Sequence, residues 1–223
     1  MEQTLDNIAY EVIELVRPNR VDDSEIDLRL VKERINDLRA LFLKQELSKG
    51  RSIEQTYVQD LGTVALEQVD PIEDAAITTG TNFILRTSVD VPRPLEGPNG
   101  LLFTRIGPID KTLPNFNMYR YEETYYNAFS RFGINQINSY YRNDRIYIFA
   151  DECVDFIKLI ENINIQGVFE NPEDVNNDPC FETTGTYPLS TWMKENIVKT
   201  IVQEMTYKLS KPEDQVQDGT NQQ

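Results

Sequence analysis

The sequence contains no histidine, and this absence excludes several classes of catalytic site. Histidine is the commonest general base and the commonest neutral metal ligand in proteins. Nucleophilic sites of the Ser-His-Asp and Cys-His types are therefore excluded, as are zinc sites that use histidine. We expect no cofactor and no bound metal, and we expect that the chain is not an enzyme.

Cysteine and long apolar runs are also scarce. The 223 residues include two cysteines, Cys153 and Cys180, which read as incidental thiols, although one bridge between them stays an open alternative. No apolar run approaches the roughly 20 residues that cross a bilayer, and the N-terminus lacks the pattern of a signal peptide. We therefore expect synthesis in a reducing cytoplasm and no membrane partner.

Positive charge is outnumbered by negative charge. The chain has 22 Lys and Arg against 37 Asp and Glu, which gives a formal net charge of -15 at pH 7. A field of that sign repels free nucleic acid. The general interpretation of this negative charge is that it keeps the protein soluble. A more specific interpretation is an acidic surface past which DNA slides without sticking.

Apolar residues at helical spacing occupy the N-terminal part of the chain. They predict one helix over 5–17 and a longer one over 24–49, with Asp23 or Ser24 as its N-cap and Gly50 at its end. The second helix would span roughly 39 Å at 1.5 Å per residue, which is longer than a small domain requires. Such a helix usually packs in a bundle or against neighbouring subunits.

The C-terminal part predicts a helix followed by a tail. Apolar residues recur every fourth position over 190–209, and Ser190 or Thr191 can cap this helix. The acidic segment 170–185 is rich in Asn and Pro and is predicted to be an exposed loop. From Ser210 onward the chain has too little apolar surface to fold without a partner.

The middle of the chain shows the alternation and turn residues of short strands. Strands are predicted over 63–69, 81–87 and 101–106, in a hairpin whose turn is Arg142-Asn143-Asp144, and as one or two strands over 156–169. A loop is predicted over 91–100 and a short helix over 122–132.

The fold class that follows is α+β, with a helical bundle from the N- and C-terminal helices and a central antiparallel β-rich insertion. We expect residues 1–50 to form the N-terminal helical part and 51–186 the β-rich region with a short helix. Residues 187–209 would return to the bundle, and 210–223 would be a flexible arm.

Carboxylates are the one abundant group that could perform chemistry. Glu170, Glu173, Asp174 and Asp178 suggest a calcium site, but they lack the ligand order of an EF-hand loop, and a solvated loop is favoured. Two converging carboxylates suffice for glycoside hydrolysis, so a carboxylate-only hydrolase is an alternative function.

Several segments resemble structural proteins of crAss-like phages that infect Bacteroidales: 8–18, 28–47, 59–62, 105–110 and 187–193. The resemblance implies a virion protein of the tail or the head-to-tail junction. It implies a homo-oligomeric ring, a dodecamer, with the portal protein and other tail ring proteins as partners and with phage DNA passing through it non-specifically. A different tail, collar or baseplate subunit is the alternative.

The connector plan implied by this resemblance assigns the two long helices to the ring wall and the segment from Ser210 to a docking arm. The candidate subunit and portal interface residues are Leu28, Val31, Ile35, Leu38, Phe42, Trp192, Met193, Ile197, Lys211 and Pro212. The acidic charge would face DNA wherever the ring lines the channel.

Overall fold

The computed structural model describes residues 4–17, 26–70, 83–98, 100–120, 136–150, 155–176 and 186–210. It shows a mixed α/β protein with a seven-stranded sheet. The chain divides into one unit of Met1–Phe42 with Leu189–Gln223 and a second unit of Leu43–Pro188. Within the described residues, no helix is long and apolar enough to cross a membrane.

The helices are α1 (Leu5–Val16), α2 (Leu28–Ser48), α3 (Pro172–Asn176) and α4 (Thr191–Ser210), with short 3-10 helices at Gln55–Tyr57 and Asp155–Leu159. The strands are β1 (Gln59–Val69), β2 (Ile84–Thr87), β3 (Glu96–Gly97), β4 (Gly100–Leu101), β5 (Phe103–Pro108), β6 (Asn117–Tyr119), β7 (Ile137–Arg142), β8 (Arg145–Ala150) and β9 (Asn162–Gly167).

The first unit contains α1 and α4, which contact each other, and most of α2. The predicted first and last helices are confirmed. The Thr4 hydroxyl caps α1 by accepting the N–H of Asn7 at 3.3 Å, and Ser190 caps α4 by accepting that of Met193 at 3.3 Å. Each cap satisfies one of the amide donors that the first turn of a helix leaves without a partner.

The second helix is shorter than the sequence predicts. It begins at Leu28, where the Asp27 carboxylate accepts the N–H of Arg29 at 2.9 Å, so the predicted start at residue 24 is wrong. Asp23 and Ser24 lie outside the described residues. The predicted end is confirmed, because Gly50 adopts a left-handed φ of 76° and donates its N–H to the carbonyl of Leu47 at 2.9 Å.

The second unit contains the sheet, whose strand order is β5-β9-β1-β2-β8-β7-β6. Its pairs are antiparallel except for β6 and β7, which are parallel. The predicted hairpin is confirmed as β7–β8. Its turn residues Asn143 and Asp144 have φ values of 50° and 58°, which is the geometry of a two-residue turn that matches the twist of the strands.

Three predicted elements in this unit need correction. The loop over 91–100 contains an isolated pairing of Pro94 with Phe169 and the small hairpin β3–β4. The segment over 156–169 forms one strand, β9, which is one of the two predicted alternatives, but its first residues form a 3-10 helix instead. The acidic loop over 170–185 begins with α3. The predicted helix over 122–132 lies outside the described residues, as do Cys153 and Cys180.

Alternation along the strands places apolar side chains on both faces of the sheet. In β8, Ile146, Ile148 and Ala150 join one buried cluster. Tyr147 and Phe149 join a second cluster, in which the ring of Tyr147 stacks on that of Tyr140 at 4.9 Å. Strands buried on both faces must be apolar at successive positions, which is what the run 146–150 shows.

The two ends of the sheet approach each other, so that the sheet is nearly closed. Phe116, which directly precedes β6, donates its N–H to the carbonyl of Ile106 in β5 at 2.8 Å. Gly107 lies at this approach, where a Cβ would be 3.4 Å from the Cα of Asn115 and 3.5 Å from the carbonyl oxygen of Pro114. These are ordinary contact distances, so the site has space for a methyl group but little for a larger side chain.

Substitution of Gly107 should separate these segments in proportion to side-chain size. Gly107→Ala places one methyl group at ordinary contact distance, whereas the branched side chain of Gly107→Val has no room beside Asn115. We expect Gly107→Val to lower the free energy of unfolding by about 1–3 kcal/mol, and Gly107→Ala to lower it by less. Urea titration measures both. Thr104→Val, at an exposed position of the same strand, is the control, and an equal loss there would contradict the explanation.

Candidate assembly surface

A bulge in β1 organises a group of polar residues where this strand pairs with β9. Asp60 pairs with Gln166 and Thr63 with Asn164, so two residues of β1, Leu61 and Gly62, lie opposite the single residue between those partners. Gly62 has a φ of 74°, which favours glycine, and Leu61 is fully buried. The bulge turns the Leu61 side chain into the core, while the Asp60 side chain stays partly exposed.

The Asp60 carboxylate accepts hydrogen bonds from four groups. Their donors are the backbone N–H of Gly62 at 2.9 Å, Asn164 Nδ2 and Gln166 Nε2 at 2.7 Å each, and Lys111 Nζ at 2.8 Å. Burial by itself would raise the pKa of this carboxyl, but the four donors outweigh burial, and the pKa lies below its usual range. The ionised carboxylate therefore holds the bulge together.

Lys111 connects this bulge to the turn that follows β5. Asp110 shapes the turn, because its carboxylate accepts the N–H of Thr112 at 2.9 Å and the Thr112 hydroxyl at 2.7 Å. Arg105 closes the turn by donating to the carbonyls of Pro108 and Asp110 at 3.1 and 3.2 Å. The sequence segments 59–62 and 105–110, which carry part of the phage resemblance, thus meet in one place.

An apolar depression of about 450 Å³ lies beside this turn, where the ends of the sheet meet. We call it the seam groove. Its lining residues are Pro108, Leu113, Pro114, Asn115, Phe116, Asn117, Gln136, Ile137 and Phe156. Among these described residues none carries a charge, although 26% of the chain is charged. The groove is therefore an uncharged surface on a strongly acidic protein.

The 3-10 helix Asp155–Leu159 presents apolar side chains outward at the groove. Ile157 and Ile160 are buried and anchor this segment to the core. Residues three apart lie on the same side of a 3-10 helix, so Phe156 and Leu159 share one side, and it is not the side of Ile157. Phe156 is 50% exposed and Leu159 is 76% exposed. Leu113, across the groove, is 41% exposed. Clustered exposed apolar side chains commonly mark contact surfaces.

The structure places the interface residues predicted from sequence in different environments. Trp192 is 58% exposed at the start of α4, and Leu28 and Phe42 are half-buried on α2. Lys211 and Pro212 lie outside the described residues. The remaining five are already covered by the chain itself: Val31, Ile35, Leu38, Met193 and Ile197. Their direct role at an interface stays a prediction, and Trp192 offers the largest free side chain of the set.

The sequence interpretation missed the seam groove, although two signals point to it. Residues 112–119 form a run without charge between Lys111 and Arg120. In the segment 156–160, Phe156 and Leu159 are three residues apart, and so are Ile157 and Ile160. This spacing indicates a short helix with apolar residues on two sides, of which one is buried and the other exposed. Neither signal shows that residues far apart in sequence, such as Pro108 and Phe156, line one groove.

Comparison with known protein families gives a match over nearly the whole chain. The model of the crAss family described as phage tail ring protein 2 matches residues 7–223. The chain belongs to this family. No curated protein matches the chain.

Membership confirms the predicted resemblance to crAss-like phage ring proteins. The ring protein is a structural component of the phage tail, and its family is not a family of enzymes. The virion is therefore its location. The carboxylate-only hydrolase considered from sequence receives no support from this family.

The hydrogen bonds to Asp60 predict how the stability of the ring protein depends on pH. A carboxyl with a lowered pKa stabilises the fold above its unfolded pKa of about 3.9, and this contribution is lost as the pH falls through the lower folded value. At pH 7, Asp60→Asn should lower the free energy of unfolding by about 1–2 kcal/mol, a range set by charged hydrogen bonds at a partly exposed site.

Urea titrations of both chains at pH 7 and pH 3 test this expectation. The difference between the parent and Asp60→Asn should shrink at pH 3, because the carboxyl of the unfolded parent chain is then largely protonated and part of the stabilisation is lost. Glu161→Gln, at an exposed position directly before β9, is the control. A difference for Asp60→Asn that stays constant between the two pH values would contradict the assignment.

Proposed function

We propose that this protein forms a closed homo-oligomeric ring, a dodecamer, in the head-to-tail connector of a phage. The ring would join the portal protein to the other tail ring proteins and surround the channel through which DNA passes. The observation that carries the proposal is the match of residues 7–223 to a tail ring family. Closed rings are built from repeated contacts between two different faces of one chain, so each copy must present both.

The helices of the first unit are proposed to form a bundle that builds the ring wall. Ion pairs between helices support the bundle. Lys194 of α4 lies 2.6 Å from Glu11 of α1, and Arg34 of α2 makes a two-pronged pair with Glu204 of α4 at 2.7 and 3.0 Å. Two hydrogen bonds between one guanidinium and one carboxylate fix the relative orientation of the two side chains in addition to attracting them. We propose 210–223 as the arm that docks on the portal.

The net charge of -15 per copy supports passage of DNA through the ring. A ring of such copies carries a large negative field, and phosphates that pass an acidic lining meet no opposite charge that would retain them. We infer that the lumen is acidic. An acidic outer face around a neutral lumen would contradict this part of the proposal.

Purified tails and the isolated protein together test the ring proposal. Subunit counting in electron micrographs of tails should show one closed twelve-fold ring next to the portal, as the phage resemblance implies. Native mass spectrometry of the isolated chain gives the mass of the free species for comparison. Absence from virions would overturn the proposal, and a few copies at the distal tip would favour a baseplate subunit instead.

Trp192 provides a test of the proposed interface on α4. Because the side chain is 58% exposed, Trp192→Ala should change the free energy of unfolding by less than about 1 kcal/mol. Exposed tryptophans at contacts contribute strongly to association, so incorporation of the variant into tails should fall. The control is Tyr207→Ala at a similarly exposed aromatic position of the same helix. Normal incorporation of Trp192→Ala would remove this residue from the interface.

A further inference from the structure

We propose that the seam groove is a contact between neighbouring copies of this chain within the ring. This inference rests on the proposed ring and adds the surface through which its copies meet. The occupant of the groove would be a second copy of the chain.

Charge favours this surface for contact between identical copies. Each copy carries -15, so two copies repel each other over most of any surface that they bring together. The described lining of the seam groove contributes no charge to that repulsion. The cores of stable interfaces are depleted in charged residues, and a groove without them fits this composition.

The border of the groove is polar, and its described charges are paired. Arg105 donates to Asn115, a lining residue, at 2.8 Å, and Lys111 lies in the adjoining turn with 59% of its side chain exposed. Lys111 is paired with Asp60, and Arg105 lies beside Asp110. A second acidic copy would therefore meet a polar edge whose charges are balanced, with apolar groups inside. This is the order of polar rim and apolar centre found in protein interfaces.

The exposed apolar side chains are the expected centre of the contact. Phe156 and Leu113 line the groove while half or nearly half exposed, and Leu159 continues the apolar surface from the same 3-10 helix. The outward direction of Phe156 and Leu159 is fixed by their buried neighbours Ile157 and Ile160. A rigid, pre-positioned aromatic side chain loses little conformational freedom when it binds.

Site-specific photocrosslinking in assembled tails tests the occupant directly. A benzophenone amino acid replaces Phe156 in the full chain, and a second variant carries it in place of Leu113. After irradiation we expect covalent dimers and higher multiples of this chain, identified by peptides from the groove joined to peptides of another copy. The same amino acid in place of Gln68, which is exposed on β1, is the control for accessible positions outside the groove.

The outcomes separate this inference from the ring itself. Crosslinks to a different tail protein, or no crosslinks in tails whose micrographs show the ring, would overturn the inference and leave the ring proposal standing. Micrographs without a ring of this chain would remove the proposed function first.

A charge substitution gives a second measurement. Phe156→Glu should raise the protein concentration needed for ring formation by about tenfold or more, with an unchanged melting curve because the side chain is half exposed. Gln68→Glu introduces the same charge at an exposed position of β1 outside the groove and should assemble like the parent chain. Assembly of Phe156→Glu at the parent concentration would contradict the proposed contact.

Discussion

Copies of a chain with a formal charge of -15 repel one another, and a ring places such copies side by side. This constraint decides which surfaces can serve assembly. Contact through ordinary parts of the surface would bring carboxylates together and remove them from water, which is costly unless each finds a partner. Surfaces without charge avoid both penalties. The seam groove is such a surface, and the fold creates it by bringing the two ends of the sheet together at Gly107 and Phe116.

Many positive groups of the described chain are engaged inside their own unit. In the sheet, Arg145 donates to both Glu67 and Asp90, and Arg86 donates to Glu67. Lys111 is held by Asp60 at the β1 bulge. Cations used in this way stabilise one subunit and contribute less to attraction between subunits. The acidic excess therefore acts on the outside of each copy, which is the charge that the proposed passage of DNA requires.

Short-range signals allowed the sequence to predict several elements correctly. Asn143 and Asp144 tolerate the positive φ of a hairpin turn, Gly50 ends α2, and Ser190 caps α4. Each of these effects acts within a few residues. The bulge at Gly62 and the parallel pairing of β6 with β7 depend on partners far along the chain, and no local pattern specifies them.

The predicted interface shows the same limit of sequence information. An apolar stripe on a helix shows that the stripe will be covered, but not whether the cover is the same chain or another one. Ile35 and Ile197 are covered by their own chain, whereas Trp192 is 58% exposed. The exposed fraction of each side chain in the folded chain distinguishes a stripe covered by its own chain from one left for a partner, and only the structure gives that fraction. The seam groove needs the structure for a further reason, because its walls come from four separate segments of the sequence.

A closed ring places one further demand on these surfaces. Its repeating contact joins two different faces of the chain, so the two faces need complementary rather than similar shapes. A groove lined by Leu113 and Phe156 is one half of such a contact, and its counterpart must be a protruding, largely uncharged surface. Trp192, the single tryptophan of the chain, is an exposed aromatic in the other unit. The proposals for Trp192 and for the seam groove therefore do not compete, because a ring contact requires two unlike surfaces on every copy.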